Sequence, residues 1–385
     1  MKNLRLKLMC VIVLLFIISI STMVYAYAET EQVTTYEVLE PTYFLINGAD
    51  YVRENMLSTT LYVSADEIYF SGTSAEGGPW IVKTNAQGEV LSQIKLHVDN
   101  GEKIAICGMS KVPAGMLLGI IDFKTSLGSI GLLKTDGQVS YTDLGDARYF
   151  SYFPIENGIL AQGTLYDKIN QTLAPQTILI DQDGHIIFKR TGVAYDIETD
   201  RGLLGTSVCC ALNDSIFVVE SRGISIGGFG GFKGPSELFC LNLFGQEKWN
   251  TTLNPNIAVE DIRATDDKVY IFGFLGKWDE EGTILEKQAV VQCYSQNGEY
   301  QWSQQFSSPE EYYFGDARLG ITVAASMKND VWYISVIGTD GAIRKMVKID
   351  APAQYINRPY IISDKMLVLL GMTNKQLVIC NVPIG

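Results

Sequence analysis

Gly223-Ile224-Ser225-Ile226-Gly227 has the spacing of a nucleophile elbow, in which a serine on a sharp strand-to-helix turn attacks a carbonyl carbon. In that arrangement a histidine later in the chain serves as base. The two histidines, His97 and His185, both precede the serine, and no helical pattern follows it. The surrounding run Gly227 to Gly234 lacks the Gly-Lys-Ser/Thr of a phosphate cradle and reads as a glycine-rich hairpin loop. Two histidines cannot build a three-histidine zinc site, and the cysteines beyond residue 28 form no Cys-x-x-Cys clip. His185 directly follows a turn glycine and is expected to be exposed; His97 ends a strand beside Asp99. Three acidic clusters remain: Asp196 with Glu198 and Asp200, Asp279-Glu280-Glu281 after Trp278, and Glu310-Glu311. Carboxylates of this kind suit calcium or an acid–base pair acting on a glycan. No Asp-x-Asp-x-Asp-Gly loop accompanies them, so the plainer reading is a solvated acidic surface. No cofactor and no metal are expected, and no catalytic set assembles.

The elements that carry these residues repeat. Trp80 to Gly88, Gly131 to Gly137, Thr177 to Gly184, Leu238 to Gly245 and Val290 to Gly298 are each an apolar strand running into a tight turn closed by glycine. Tyr141, Phe188, Trp249 and Trp302 stand four residues after their glycines; Ser92 takes that place in the first unit. Units recur over 57–96, 101–145, 148–191, 203–253, 258–306, 319–354 and 357–385. A step of about 45 residues is that of a four-stranded propeller blade. The expected fold is therefore all-β, a seven-bladed β-propeller of four-stranded antiparallel blades over 57–385. The last unit stops one strand short. Val33 to Leu39 is expected to supply the missing outer strand and close the ring, which removes exposed sheet edges. Residues 29–56 thus form a leading segment that includes this closing strand.

Residues 1–28 have the pattern of an export signal: Lys2, Arg5 and Lys7, an apolar run from Leu8 to Ile20, then Ala26-Tyr27-Ala28. The alternative is a retained anchor, since Leu8 to Ala28 is just long enough to span a bilayer. No later segment is, so no membrane span is expected after cleavage, and the protein is expected to be secreted or associated with the cell surface. The formal net charge is −13, and loss of the three signal cations makes it more negative. Such a charge, with no basic stripe, disfavours nucleic acid. Cys240 and Cys293 each lie five residues before a turn glycine, which suggests a recurring core position for a small apolar side chain.

Phe239 to Trp249 and Cys293 to Trp302 follow the outline apolar strand, Asn-containing turn, glycine, three residues, tryptophan. In this the units resemble the repeats of the PQQ-binding-like β-propellers, the superfamily of quinoprotein alcohol dehydrogenases. The resemblance covers most of the chain from about residue 57 and implies a tryptophan wedged between neighbouring blades. Quinoprotein alcohol dehydrogenases also carry an adjacent-cysteine disulfide near the cofactor, and Cys209-Cys210 are adjacent here. The pair lies in Ser207 to Leu212, which reads as an inner strand whose neighbouring side chains face opposite ways. The calcium ligands and catalytic aspartate of those enzymes have no counterpart that can be placed, so the quinoprotein active site is not expected.

In a propeller the hairpin between second and third strands opens on one face and the turn between third and fourth strands on the other. The second hairpins near 122–130, 164–176, 221–236 and 275–288 are long; those at Thr339 to Gly341 and Thr373 to Lys375 are short. One face is therefore expected to carry a wall of loops bearing Phe123, Tyr166, Phe229, Phe232, Trp278 and Asp279. Tyr195, Tyr312, Tyr313 and Phe314 would join it from the connections between blades. With Trp278 in a loop, Trp278-Asp279 is not read as a strand-end Trp-Asp signature. Aromatic loop residues form either an interaction surface or the core of a local cap. The reading that follows is a non-catalytic module that binds a protein or a cell-envelope glycan; the rival is a secreted carbohydrate-active enzyme using loop carboxylates.

Overall fold

Short Val/Ile/Leu/Phe/Tyr runs with alternating sidedness and glycine-containing turns leave the backbone one economical solution, strand paired to preceding strand. A computed structural model shows this outcome for residues 37–39, 42–45, 61–63 and 67–384, less 74–78, 86, 88, 97–103, 123, 168, 171, 197–206, 222–223, 227–230, 234–235, 254–256, 266, 279–283, 307–312, 329–330, 350–354, 357–358, 364–365 and 373–376. The export-signal pattern lies outside these residues. Every described element is a strand, and no helix among them is long and apolar enough to cross a membrane. Glu37–Gly385 make up one compact unit.

The sheets follow one another in chain order. Leu61–Val63, Ile68–Thr73, Pro79–Thr84 and Val90–Lys95 form the first. An eight-stranded sheet comes next, in which the 17-residue strand Val139–Ile155 serves two neighbours. Its front half pairs with Leu127–Lys134 and its back half with Gly158–Asp167, and the register breaks between Asp143 and Arg148. Four-stranded sheets follow over 207–252 and 257–305. In the next, Tyr313–Arg318, Ile321–Lys328, Val331–Ile337 and Ile343–Ile349 pair in order. This corrects the expected start at 319, because Tyr313 and Phe314 belong to a first strand and not to a connection. Thr339 to Gly341 then falls between third and fourth strands, in the series of turn glycines and not among the second hairpins.

The end of the chain finds its partner at the beginning. Leu377–Pro383 pairs antiparallel with Thr42–Leu45, from Thr42 opposite Asn381 to Leu45 opposite Val378. Of the expected closing segment Val33 to Leu39, only Glu37–Leu39 are described, and they do not take that place. Glu37–Leu39 lies parallel to Val347–Ile349, as a fifth strand on the edge of the preceding sheet.

The turns explain the repeat. The N–H groups of Gly137, Gly184, Gly245, Gly298 and Gly341 each donate to the carbonyl three residues earlier. Side chains reinforce the turns: Asn242 Oδ1 accepts from the N–H groups of Phe244 and Gln246, as Asp181 Oδ1 does from Asp183 and His185. Gly298 and Gly341 have φ of 83° and 87°, a region costly for other residues. They also have no room: a Cβ would stand 2.7 Å from Trp249 at Gly298 and 2.7 Å from Trp302 at Gly341. Each tryptophan thus lies on the turn glycine of the next sheet. Trp249 Nε1 donates to Gln296 O at 2.9 Å and Trp302 Nε1 to Thr339 O at 3.0 Å, both two residues before the glycine. Phe188 covers Gly245 in the same way.

Tyr141 departs from the series. In the hairpins of Phe188, Trp249 and Trp302 a bulge just before the aromatic residue sets it opposite the position five residues before its glycine. No such bulge precedes Tyr141, which pairs with Gly131 and is 56% exposed. Thr142 holds the seam instead, donating from Oγ1 to Gly184 O at 2.8 Å. Cys240 and Cys293 are buried opposite Trp249 and Trp302, the small apolar core position expected of them. The core itself lies between faces of consecutive sheets, on Phe70, Phe217 and Phe272, while Val90–Lys95 at an outer edge is exposed throughout.

Candidate functional site

First strands from successive sheets end at the same place. Tyr62 and Val63, Lys111, Phe153 to Asn157, Cys209 to Leu212, Arg263 and Ala264, Ala317 and Arg318, and Tyr360 together line a cavity of about 490 Å³. All but Tyr360 come from the last residues of a first strand or the turn after it. The cavity therefore opens at the end that holds the turns between first and second strands and the turn glycines.

Two consecutive first strands bring the sequence Asp-x-Arg to its wall, Asp261-Ile262-Arg263 and Asp316-Ala317-Arg318. Both aspartates are fully buried. Asp316 Oδ1 accepts from the Ala317 N–H at 3.0 Å and Oδ2 from the Ile361 N–H at 2.8 Å. Arg263 Nε lies 3.3 Å from Oδ1 and Arg318 Nε 3.2 Å from Oδ2. One carboxylate thus ties three consecutive sheets together. Asp261 Oδ1 accepts from the Ile262 N–H at 2.9 Å and from Arg263 Nη1 at 2.7 Å. Burial works against the Arg263 charge, but Asp261 and Asp316 outweigh it and hold its pKa above the ordinary value. Arg318 is nearer solvent, its side chain 45% exposed, with Cζ 6.0 Å from the centre of the Tyr360 ring.

Elsewhere in the lining Lys111 Nζ is held by Glu67 Oε2 at 2.6 Å; Lys83 reaches Oε1 at 2.5 Å and the Tyr69 hydroxyl donates to Oε2 at 2.7 Å. These bonds, that of Lys111 foremost, pull the Glu67 pKa from 4.5 to about 2. A carboxylate depressed on folding stabilises the native state above its unfolded pKa, and the effect fades as pH falls toward the folded value. Glu67→Gln should therefore cost about 1 kcal/mol at pH 6. The difference from wild type should shrink between pH 4.5 and 2, as read from urea unfolding midpoints across that range. A difference that stays constant with pH would remove the ion pairs as its cause.

Cys209 and Cys210 form no disulfide; Cys209 is buried and Cys210 less so, as adjacent strand residues facing opposite ways. Burial pushes the Cys210 thiol well up, so at neutral pH it is a thiol and not a thiolate nucleophile. Burial likewise raises Tyr62, against the pull of Lys111 and Arg318. The cavity wall offers fixed guanidinium and hydroxyl donors and one exposed carboxylate, Glu156. Such a set is suited to holding a polar ligand.

The sequence-predicted face lies at the other end of the strands. Tyr166 stands in Gly158–Asp167 opposite Leu173 and is 38% exposed. Phe232 is in Gly231–Lys233, paired with Ser225; Trp278 ends Lys268–Trp278, opposite Ile284; Tyr313 begins Tyr313–Arg318, opposite Ser326. Phe123, Phe229, Asp279 and Tyr312 lie outside the described residues, as do His97, Glu198, Asp200 and Glu310-Glu311. The expected loops at 164–176 and 275–288 are largely paired strands, and Trp278 is at a strand end and not in a loop. Their polar and glycine residues read as loop by composition, while ladder pairing across the hairpin keeps them extended. Ser225 sits mid-strand in a two-stranded ribbon, not on a strand-to-helix elbow. His185 is 76% exposed on its turn. Its grouping with Asp181 and Asp183 follows from the turn's own hydrogen bonds.

The sequence matches no protein family and no curated protein. Solved structures do match. The β-propeller domain of the trilobed protease from Pyrococcus furiosus, described as having an open velcro topology, is similar at a TM-score of 0.52 with 11% identity, over 86% of this chain and 96% of that one. Polysaccharide lyase Uly1 is similar at 0.54 with 8% identity, over 93% and 96%. Drosophila Plexin A, in its complex with Semaphorin 1b, is similar at 0.53 with 10% identity, over 92% and 88%. At such identities the likeness establishes the β-propeller fold and nothing finer.

Proposed function

We propose that this chain is a secreted or cell-surface, non-catalytic β-propeller that binds a cell-envelope glycan or a protein. Its seven four-stranded blades form a ring closed by Thr42–Leu45, and the PQQ-binding-like repeat describes its units without quinoprotein chemistry. The observation that carries the binding role is the convergence of first-strand ends from successive sheets on one cavity, with arginines paired to buried aspartates in its wall. Fixed donors lose little freedom when a ligand arrives, which favours recognition. A volume of about 490 Å³ is that of a small-ligand site. The export pattern at Lys2 to Ala28 supports a place outside the cytoplasm. The aromatic hairpins at the other end offer a second surface for a macromolecular partner.

A carbohydrate-active enzyme is the rival reading, and the likeness to a polysaccharide lyase together with the exposed Glu156 at the rim favours it. Calorimetric titration with cell-envelope glycan fragments, followed by product analysis, separates the two. Binding without turnover, weakened at least tenfold by Tyr360→Ala with the fold intact by circular dichroism, is expected. Turnover abolished by Glu156→Gln would establish the enzyme instead. Binding lost on Trp278→Ala and Phe229→Ala but kept in Tyr360→Ala would move the site to the opposite face.

A further inference from the structure

The geometry points to a singly charged carboxylated sugar residue as the group that the cavity takes, an inference that rests on the cavity being the binding site proposed above. Its centre is Arg318. The Nε of this residue is committed to Asp316, which is itself fixed by the Ala317 and Ile361 N–H groups. This ion pair draws the Nε edge of the guanidinium toward Asp316 before any ligand arrives. Among the described groups neither terminal nitrogen of Arg318 has a bond, and nearly half of the side chain is open to solvent. The end-on pair of N–H groups left over is the fork that matches the two oxygens of a carboxylate.

The neighbouring charges decide which anion fits. Lys111 is already bonded to Glu67 and adds little. Asp261 and Asp316 lie behind the arginines, and Glu156 stands exposed at the rim. The other cation of the wall, Arg263, is likewise already paired, with Asp261 and Asp316, so a second negative charge on the ligand finds no unpaired cation and a monoanion is favoured over a phosphate dianion. The rest of the wall suits a sugar ring: Tyr360 lies beside Arg318, Tyr62 faces the same cavity, and Asn157 and Glu156 offer partners for hydroxyl groups. Aromatic faces and scattered polar groups are what a ring with one apolar face and equatorial hydroxyls requires. The space accommodates one or two such rings.

Titration with a uronate trisaccharide, its carboxyl-reduced neutral counterpart, a tripeptide with a free C-terminal carboxylate and the same tripeptide amidated tests this. The uronate is expected to bind at least tenfold more tightly than the neutral sugar. Arg318→Ala is expected to erase that preference while leaving the weak neutral binding, with a melting temperature near wild type because the side chain is half exposed. Arg318→Lys, which keeps a cation beside Asp316 but loses the fork, should recover little of the preference; it also supplies the comparison should Arg318→Ala melt early. Equal binding of both sugars would overturn the carboxylate inference and leave a glycan-binding cavity standing. Binding of the free-carboxylate tripeptide with neither sugar bound would overturn the sugar assignment. No binding by any of the four would defeat this inference and the cavity reading together.

Discussion

Asp316→Ala is expected to cost about 3–5 kcal/mol of folding stability, the loss typical when one partner of a buried ion pair is removed. The side chain is wholly buried and both oxygens are used. Its removal leaves the N–H groups of Ala317 and Ile361 without acceptors and strips a counter-charge from Arg263, whose own side chain is only 15% exposed. Water cannot readily replace these bonds, so the desolvation cost is borne in full. Asp316→Asn should lose nearly as much. An amide keeps the shape, but its NH2 would oppose one of the two N–H donors. Denaturant unfolding followed by tryptophan fluorescence gives the number. A change under about 1 kcal/mol would place this carboxylate among surface pairs and would remove it as the tie between sheets. The cost should also be non-additive with Arg263→Met, because removing both charges leaves no buried ion behind.

This tie was open to view in the sequence and hard to recognise there. Asp261-Ile-Arg263 and Asp316-Ala-Arg318 repeat at a blade-length interval, yet a carboxylate two residues from an arginine on a strand is also what an exposed edge carries. Only burial distinguishes them, and burial is set by the neighbouring sheets. The turn units were legible for the opposite reason. Their glycines answer a local demand for positive φ, and their Asn, Asp and Ser side chains answer local N–H groups. The tryptophan four residues on was also legible, since the bulge that aims Trp249 and Trp302 is a property of the same hairpin. Tyr141 shows the limit: its spacing from Gly137 is the same, but the bulge is missing and the ring turns outward. Likewise the strand Tyr313–Arg318 reads as a connection because Tyr313, Phe314 and Gly315 carry no alternation of sidedness. It is held by pairing with Ile321–Lys328.

The closing strand is the case in which sequence and structure make opposite forecasts for one experiment. Val33 to Leu39 has the stronger β-forming composition, so on composition a chain beginning at residue 41 should lose ring closure. The pairing says otherwise. Glu37–Leu39 merely adds to an edge already four strands deep, whereas Thr42–Leu45 is the fourth strand of the sheet that holds the C-terminus. A chain beginning at residue 41 is therefore expected to melt within a few degrees of one beginning at residue 29. A chain beginning at residue 47 is expected to lose about 2–4 kcal/mol, from ladder bonds each worth about 1 kcal/mol net. It should also melt less cooperatively, because Leu377–Pro383 becomes an open edge. Differential scanning calorimetry of the three chains reads both quantities. Equal melting of the 29 and 47 chains would show that the last sheet is stable without Thr42–Leu45. Early melting of the 41 chain would give the larger stabilising role to Glu37–Leu39. The third outcome, loss only at 47, requires Thr42–Leu45 and Leu377–Pro383 to share one sheet, the sheet that also carries Tyr360 beside Arg318.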